Sequence, residues 1–270
     1  MPSMLLVRMA GAVVDVPPRW LLAAASAVCD PGDATPGADN GSFSAGALAP
    51  GGDAGTSSWR LGWLDDDATP PAWPPSVVRF GSRAVPVVGA DLHRHAYAEL
   101  AQSRPVRRVR LTMNTPTFFS RDGRDLPLPD PALALGGLVA RWNRYAPGHL
   151  RIGADEARDL GGAVYLDAMW GSSAEVELGH GLRQVGFVGQ ADLRLVAAAS
   201  DYTATMFTAL ARFAAFAGVG ERTAHGFGAV DVDVADLVRL ASRPDPLAVP
   251  TTRRADRVPV PMPTARTTSR

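Results

Sequence analysis

Four glycines fall within eleven residues, Gly218-Val-Gly-Glu-Arg-Thr-Ala-His-Gly-Phe-Gly228, between a helical pattern and a strand pattern. Before them, Met206, Leu210, Phe213 and Phe216 or Ala217 recur at the spacing of one helix face. Asp201 is placed to cap the start of that helix, and Gly218 stands where a C-terminal capping glycine belongs. After the loop, Val230, Val232 and Val234 alternate with Asp231 and Asp233, the period of a half-buried strand. The order is helix, loop, strand. Glycines let a backbone approach a ligand closely and adopt positive φ. Set around Arg222 and Thr223, they make a surface where amide N–H groups and a guanidinium can face phosphates. The loop is not a Walker motif, because Gly-Lys-Ser/Thr is missing. It is not a dinucleotide fingerprint either, because it follows a helix and precedes a strand. By composition alone it reads equally well as a structural turn.

The rest of the chain is less sharply patterned. Met4 to Met9 reads as an opening strand, and Pro17, Pro18 and the run Trp20 to Val28 as a short apolar helix. Asp30 to Ser58 is dominated by Gly, Ala, Asp, Ser and Pro and reads as a long loop. Trp59, Leu61 and Trp63 alternate with Arg60 and Gly62 as in a half-buried strand, and a strand-like stretch from Val77 to Val88 follows the prolines of 70–75. The clearest strand is Arg107 to Met113. Val109, Leu111 and Met113 point one way and Arg108, Arg110 and Thr112 the other, giving an apolar face and a basic one. Asp130-Pro131 opens a helix whose apolar face is Leu135, Leu138, Val139, Trp142 and Tyr145, ending near Pro147-Gly148. Ala163 to Met169 and Gly186 to Leu195 read as further strands. The segment 242–270, rich in Pro, Thr and Arg, reads as disordered.

At 270 residues, 46% apolar and 20% charged, the chain suits one large or two small globular domains. No run of about 18 apolar residues is present, so no membrane span is expected and a cytoplasmic location is the plain expectation. Cys29, the single cysteine, excludes a disulfide framework and a thiolate cage, and reads as a small buried residue at a helix end. The formal net charge of zero argues against indiscriminate coating of nucleic acid. Its distribution is uneven. Residues 1–100 hold six arginines against ten acids, whereas Arg104 to Arg124 holds six arginines and one acid, Asp122. Every one of the basic residues is arginine. Its planar fork suits phosphate and stacks on bases, although a GC-rich genome would also replace lysine.

The order of segments carries more than any one of them. Val109-Arg-Leu-Thr-Met-Asn-Thr-Pro-Thr-Phe-Phe119, then Leu126-Pro-Leu-Pro-Asp-Pro131 and a helix ending Arg141-Trp-Asn-Arg-Tyr-Ala-Pro147, resembles the middle of the CRISPR precursor-RNA endoribonuclease family. This is the sixth Cas protein, of the repeat-associated (RAMP) superfamily. Val185-Gly-Phe-Val-Gly189 is similar to that family's Gly-Phe-x-Gly strand, and Leu210 to Gly228 to its C-terminal helix and glycine-rich loop. The order and spacing agree from about residue 75 to residue 235.

The resemblance implies an α+β fold of tandem ferredoxin-like (RRM-like) domains. The expected division is 1–100 and 101–241, with a degenerate N-terminal domain. It implies CRISPR repeat RNA or crRNA as partner, other Cas effector subunits as further partners, no cofactor, and cleavage without a metal. In such cleavage the RNA's own 2′-OH attacks the neighbouring phosphate, leaving a cyclic phosphate and a 5′-OH, with the product retained. That chemistry needs a base, an acid and a cation.

The family's usual catalytic histidine lies in or just after the first helix, and Arg19 to Leu48 contains none. His93 and His95, flanking Arg94 and followed by Tyr97, are the catalytic candidates that remain, although they fall in the connection between domains. The RNA-binding candidates are Gly218, Gly220, Arg222, Thr223, His225, Gly226 and Gly228 in the loop, Arg108 and Arg110 on the strand, and His180 and Arg183 before the Gly-Phe-Val-Gly strand. His149 reads as a loop residue. Three readings follow: an active endoribonuclease, a crRNA-holding subunit that does not cut, and a structural α+β protein whose loop is only a turn.

Overall fold

The computed structural model describes residues 1–13, 15–29, 41–66, 69–179 and 181–234. Its first strand, β1 (Ser3–Ala10), buries Leu5, Val7 and Met9 while Leu6 and Arg8 face the opposite side. Pro18 opens helix α1 (Pro18–Cys29), where a missing N–H costs nothing, and buried Cys29 closes it. Strands β2 (Phe43–Pro50), β3 (Thr56–Trp63), β4 (Val77–Phe80) and β5 (Arg83–Arg94) complete an antiparallel sheet of order β2-β3-β1-β5-β4. The run β2-β3-β1-β5 is the ferredoxin-like strand order. Between β3 and β5 no helix occurs among the described residues; the prolines of 70–75 and β4 take the place of a second helix.

The expected loop over 30–58 is corrected here. Residues 30–40 lie outside the described residues, but Phe43 to Pro50 is strand β2 and β3 begins at Thr56. Small residues hid the strand because the sheet requires them. A Cβ on Gly46 would stand 2.6 Å from the Arg60 carbonyl oxygen, and the Trp59 indole N–H donates to the Gly46 carbonyl at 3.0 Å. Phe43 and Ala45 of β2 join the Trp59 ring in the first core.

A short helix, α2 (Tyr97–Ala101), leads into the second sheet. Its elements are β6 (Arg108–Thr117), a small hairpin of β7 (Phe119–Arg121) and β8 (Arg124–Leu126), α3 (Pro131–Tyr145), α4 (Ala154–Ala163), β9 (Val164–Gly179), β10 (Leu182–Leu195), α5 (Asp201–Ala217) and β11 (Val230–Asp233). The sheet order β11-β6-β10-β9 is again ferredoxin-like, so the chain is an α+β protein with two such units in tandem. Val109, Leu111 and Met113 of β6 pack with Trp142 of α3 and Phe207, Leu210 and Phe213 of α5 in the second core.

Local chemistry explains most boundaries. The Asp130 side chain accepts from the Leu133 N–H at 3.0 Å and Pro131 fills the first turn of α3. The cap of α5 is Ser200, not Asp201: the Ser200 hydroxyl accepts from the Thr203 N–H at 3.0 Å, and Asp201 is the first helical residue. There its charge still favours the positive end of the helix. In the Gly-Phe-Val-Gly segment, the register of β10 against β6 shifts between Phe187 and Gly189. Cβ atoms on Gly186 and Gly189 would meet the Thr117 nitrogen at 2.7 Å and the Trp170 carbonyl at 2.1 Å. Both glycines let backbones close on one another.

The two sheets share a seam. The Ser44 hydroxyl donates to the Phe216 carbonyl at 2.6 Å, and Arg60 donates to Asp231 at 2.5 Å and to the Val230 carbonyl at 3.1 Å. A Cβ on Gly62 would lie 1.8 Å from that same Phe216 oxygen. No helix of the described residues is long and apolar enough to cross a membrane, and the segment 242–270 lies outside them.

Gly62 therefore sets how closely β3 approaches the end of α5. Gly62→Ala should lower stability by about 2 kcal/mol, because a backbone-against-side-chain clash cannot be relieved by a rotamer change. Urea unfolding of wild type and variant measures it, and equal midpoints would contradict this account of the seam.

Candidate nucleic-acid interface

Helix α5 ends where Gly218 takes φ +71°, with its N–H donating to the Ala214 carbonyl at 2.8 Å. The loop that follows is tied down from several sides. The Val219 N–H donates to the Gly228 carbonyl at 2.8 Å, the Glu221 N–H to the Phe118 carbonyl at 2.9 Å, and the Gly228 N–H to the Pro116 carbonyl at 3.1 Å. Phe227 packs edge-on against Phe118 at 5.5 Å. Gly220 (φ +83°) and Gly228 (φ +65°) are required by space as well as by φ. Cβ atoms there would stand 2.3 Å from the Phe118 carbonyl and 1.9 Å from the Val219 carbonyl.

The centre of the loop turns toward α1. Thr223 and Ala224 are buried, and Ala224 belongs to the core of the first sheet. A Cβ on Gly226 would lie 2.6 Å from Leu21 Cδ1. From α3, the Arg141 guanidinium donates to the Ala217 carbonyl and to the Thr223 hydroxyl. Arg222, by contrast, sits in the left-handed region at φ +53°, where a non-glycine residue is strained. Its guanidinium makes no hydrogen bond or ion pair among the described residues. Between α3 and the loop lies an open cleft of about 270 Å³, lined by Gly137, Arg141, Arg144, Gly218, Gly220 and Glu221. The arrangement is a rigid backbone platform that presents one arginine.

The basic face of β6 is different from what alternation suggests. Arg108 and Arg110 both bind Asp192 of β10, at 2.6 Å each, and Asp192 is fully buried. Arg110 adds a second bond to the other carboxylate oxygen at 2.9 Å and lies over the Trp170 ring at 5.2 Å. Arg108 also reaches Asp167 at 3.3 Å, which Arg194 approaches at 3.9 Å. These arginines are committed to carboxylates within the sheet.

A family model described as CRISPR-associated endoribonuclease Cas6 matches residues 111–230, from β6 through the glycine loop to β11. A solved Cas6 product complex superposes with a TM-score of 0.72 at 25% identity, covering 86% of this chain and all of the other. The chain matches the Cas6 family over this segment and shares the fold of solved Cas6 proteins. A second Cas6 product complex gives a TM-score of 0.68 at 23% identity, again over 86% of this chain and all of the other. Thermus thermophilus Cas6 gives 0.64 at 23%, over 86% and 98%. No curated protein sequence matches the chain significantly.

The candidate catalytic residues do not converge as a trio. His93 and His95 are exposed at the end of β5 and just beyond it, and the His95 ring tilts against Phe216 at 5.3 Å. Arg94, between them, donates to the Thr69 hydroxyl at 2.5 Å. Tyr97 is corrected to a core residue. It is 1% exposed, stacked edge-on with Trp142, and its hydroxyl donates to the Leu64 carbonyl at 2.8 Å. Burial, and after it the charge of Asp66, pushes that hydroxyl far above the ordinary phenol range, and its hydrogen bond is given to the Leu64 carbonyl inside the core. Arg183 stands on the β9–β10 hairpin and pairs with Glu175 at 2.8 Å; His180 lies outside the described residues. His149 is exposed in the short turn after α3.

Sequence reasoning missed Arg141 and Asp192. Arg141 sits in the quoted segment Arg141-Trp-Asn-Arg, one residue from core Trp142, which places it beside the helix packed against α3. Asp192 is a lone acid in an apolar strand, opposite Arg110 across the sheet. A buried acid in such a strand calls for a cationic partner.

Burial pushes the Asp192 carboxyl up, but Arg110 and Arg108 outweigh it and hold it below the usual range. Asp192→Asn keeps the volume and leaves two guanidinium groups without their anion, so it should cost about 3 kcal/mol at pH 7. A folded pKa below the unfolded value near 4 means that this stability is complete above about pH 4. It is lost as pH falls through the lower folded value. The difference between wild type and variant in chemical unfolding should therefore shrink on acidification; a difference that grows would contradict it.

Proposed function

We propose that this chain binds CRISPR repeat RNA and cuts it without a metal, by attack of the RNA's 2′-OH on the adjacent phosphate. The products are a cyclic phosphate and a 5′-OH, and the processed RNA stays bound. The observation that carries this reading is the rigid glycine loop, which presents Arg222 from a strained backbone within the segment that matches an endoribonuclease family. The neighbours described as product complexes support RNA as the ligand. In this reading the chain divides near residue 101, and RNA lies along the loop and the second sheet's hairpin. Positioning the 2′-OH in line and stabilising the phosphorane charge supply part of the acceleration whichever side chain moves the proton. His93, His95 and His225 are the titratable candidates for that transfer.

A second reading, a crRNA-holding subunit without cleavage, has its own observation: α1 carries no histidine, and Tyr97 is locked in the core. Incubation with cognate repeat RNA in EDTA separates the two. The nuclease reading expects cleavage that survives EDTA and stops when the cut site carries a 2′-deoxy sugar; tight binding with no cleavage would establish the holding subunit instead. Single His93→Ala, His95→Ala and His225→Ala variants then assign the proton transfer. Arg222→Ala should weaken all RNAs alike and reduce the slope of log Kd against log salt by about one. An unchanged slope would remove Arg222 from the phosphate contacts.

A further inference from the structure

Three tryptophans, Trp59, Trp63 and Trp142, are buried in the two cores, whereas Trp20 of α1 is 36% exposed. Its exposure is not loose. The indole rests on the β4–β5 turn at Gly81 (φ +62°), where a Cβ would lie 2.6 Å from Cε2 and 2.8 Å from Cζ2. Only glycine lets the turn form with the ring seated so closely. On the same helix turn, the Arg19 guanidinium carbon lies 5.7 Å from the ring centroid. The indole is thus held by the fold with a guanidinium over the ring, and the first turn of α1 contains no acid.

The neighbours of this ring give it meaning. The next residue, Leu21, packs against Gly226 of the glycine loop, and Arg19 Nη1 would be 3.2 Å from a Cβ on Gly179, at the end of β9. The first turn of α1 therefore stands between the glycine loop and the tip of the β9–β10 hairpin. The open face of the second sheet, where ferredoxin-like RNA binders could stack bases, is occupied by the Asp192 ion pairs, and its Trp170 is covered by Arg110, which Asp192 holds in place. Arg19 over Trp20, by contrast, has no hydrogen bond or ion pair among the described residues and can give way to a base. A stacking site has to be sought elsewhere, and Trp20 is the fixed, exposed aromatic at the loop.

We propose that Trp20, steadied by Gly81 and flanked by Arg19, is a stacking platform for one unpaired base of the RNA, in a single-stranded segment next to the paired stem. This rests on the RNA-binding reading above. A preorganised indole stacks any base without selecting among them, because every base offers a π face. A neighbouring guanidinium adds a cation that meets the phosphate or stacks on the base. The role is positioning: it fixes where the strand leaves the stem relative to the loop.

The test uses the full chain and two fluorescent repeat RNAs, one a stem-loop with its single-stranded flanks and one trimmed to the stem-loop. Trp20→Leu keeps apolar packing on the Gly81 turn but removes the π face, and Trp20→Phe keeps a smaller one. Melting temperatures of both variants confirm that they fold. For the flanked RNA, Trp20→Leu should weaken Kd by about 5- to 150-fold, the range for loss of one base–aromatic stack, while Trp20→Phe stays close to wild type. The trimmed RNA should bind wild type and Trp20→Leu equally. With 2-aminopurine placed at successive flank positions, one position should be quenched by wild type and bright with Trp20→Leu. Equal binding of the flanked RNA by wild type and Trp20→Leu, or equal losses for both RNAs, would overturn the platform while leaving the RNA reading intact. Failure of wild type to bind either RNA would overturn both.

Discussion

The backbone closure between α5 and β11 is the constraint on which the rest of the molecule depends. Carbonyls of Phe118 and Val219 occupy the space where side chains of Gly220 and Gly228 would be, so the chain can return from helix to strand only along this path. The turn it makes inserts Ala224 into the core of the first sheet, while Leu64, just after β3, and Tyr97, just after β5, sit in the core of the second. Each core is completed by a residue delivered from the other side. Interfaces between domains are ordinarily polar and permit relative motion; here motion would pull apolar side chains out of both cores. The loop is consequently tied to both cores, which is what the proposed RNA site requires.

Electrostatics follows from the same economy of arginine. The formal net charge is zero, and much of the positive charge is spent internally: Arg108 and Arg110 on Asp192, Arg60 on Asp231, Arg8 on Asp91, Arg121 on Asp130. Burial pushes the Asp231 carboxyl up, and its bonds to Arg60 and Asn114 hold it below the usual range in spite of that. The open faces of the two sheets, which meet along the Arg60–Asp231 contact, therefore present paired charges. Arg222 in the glycine loop and Arg19 at the start of α1 are not spent in this way. A neutral protein can still offer a positive site when its neutrality is arranged by position.

Much of this fold was legible in the sequence where a physical rule left one answer. The Asp130-Pro131 helix start, the C-terminal glycine of α5 and the inward face of β6 all stand as the pattern predicts. Strand β2 was not legible, because after Phe43 it runs through small residues, and Gly46 has to be small so that the Arg60 carbonyl can approach it. The candidate site divided similarly. The glycines could be recognised as a loop of unusual backbone. That Arg108 and Arg110 are already paired depends on the register of β10, which places Asp192 opposite Arg110, and register is a tertiary fact. Tyr97 beside two histidines looked like chemistry; the direction of one side chain at the start of α2 made it core.

The long β9–β10 hairpin, finally, bears on how this scaffold tolerates change. β10 pairs with β6 only from Phe187 onward, and before Gly186, which closes on the Thr117 backbone, the start of β10 and its partners on β9 extend past that pairing. Among the described residues of that projection, side chains such as Arg183, Glu175 and Leu182 contribute to neither core. Substitutions at the exposed Leu182, Arg183 and Glu175 are nearly free of folding cost, while those at Gly186 and in the glycine loop are not. Divergence between lineages can accumulate at the tip of the hairpin, as on an interchangeable tool, while the handle that holds it stays the same.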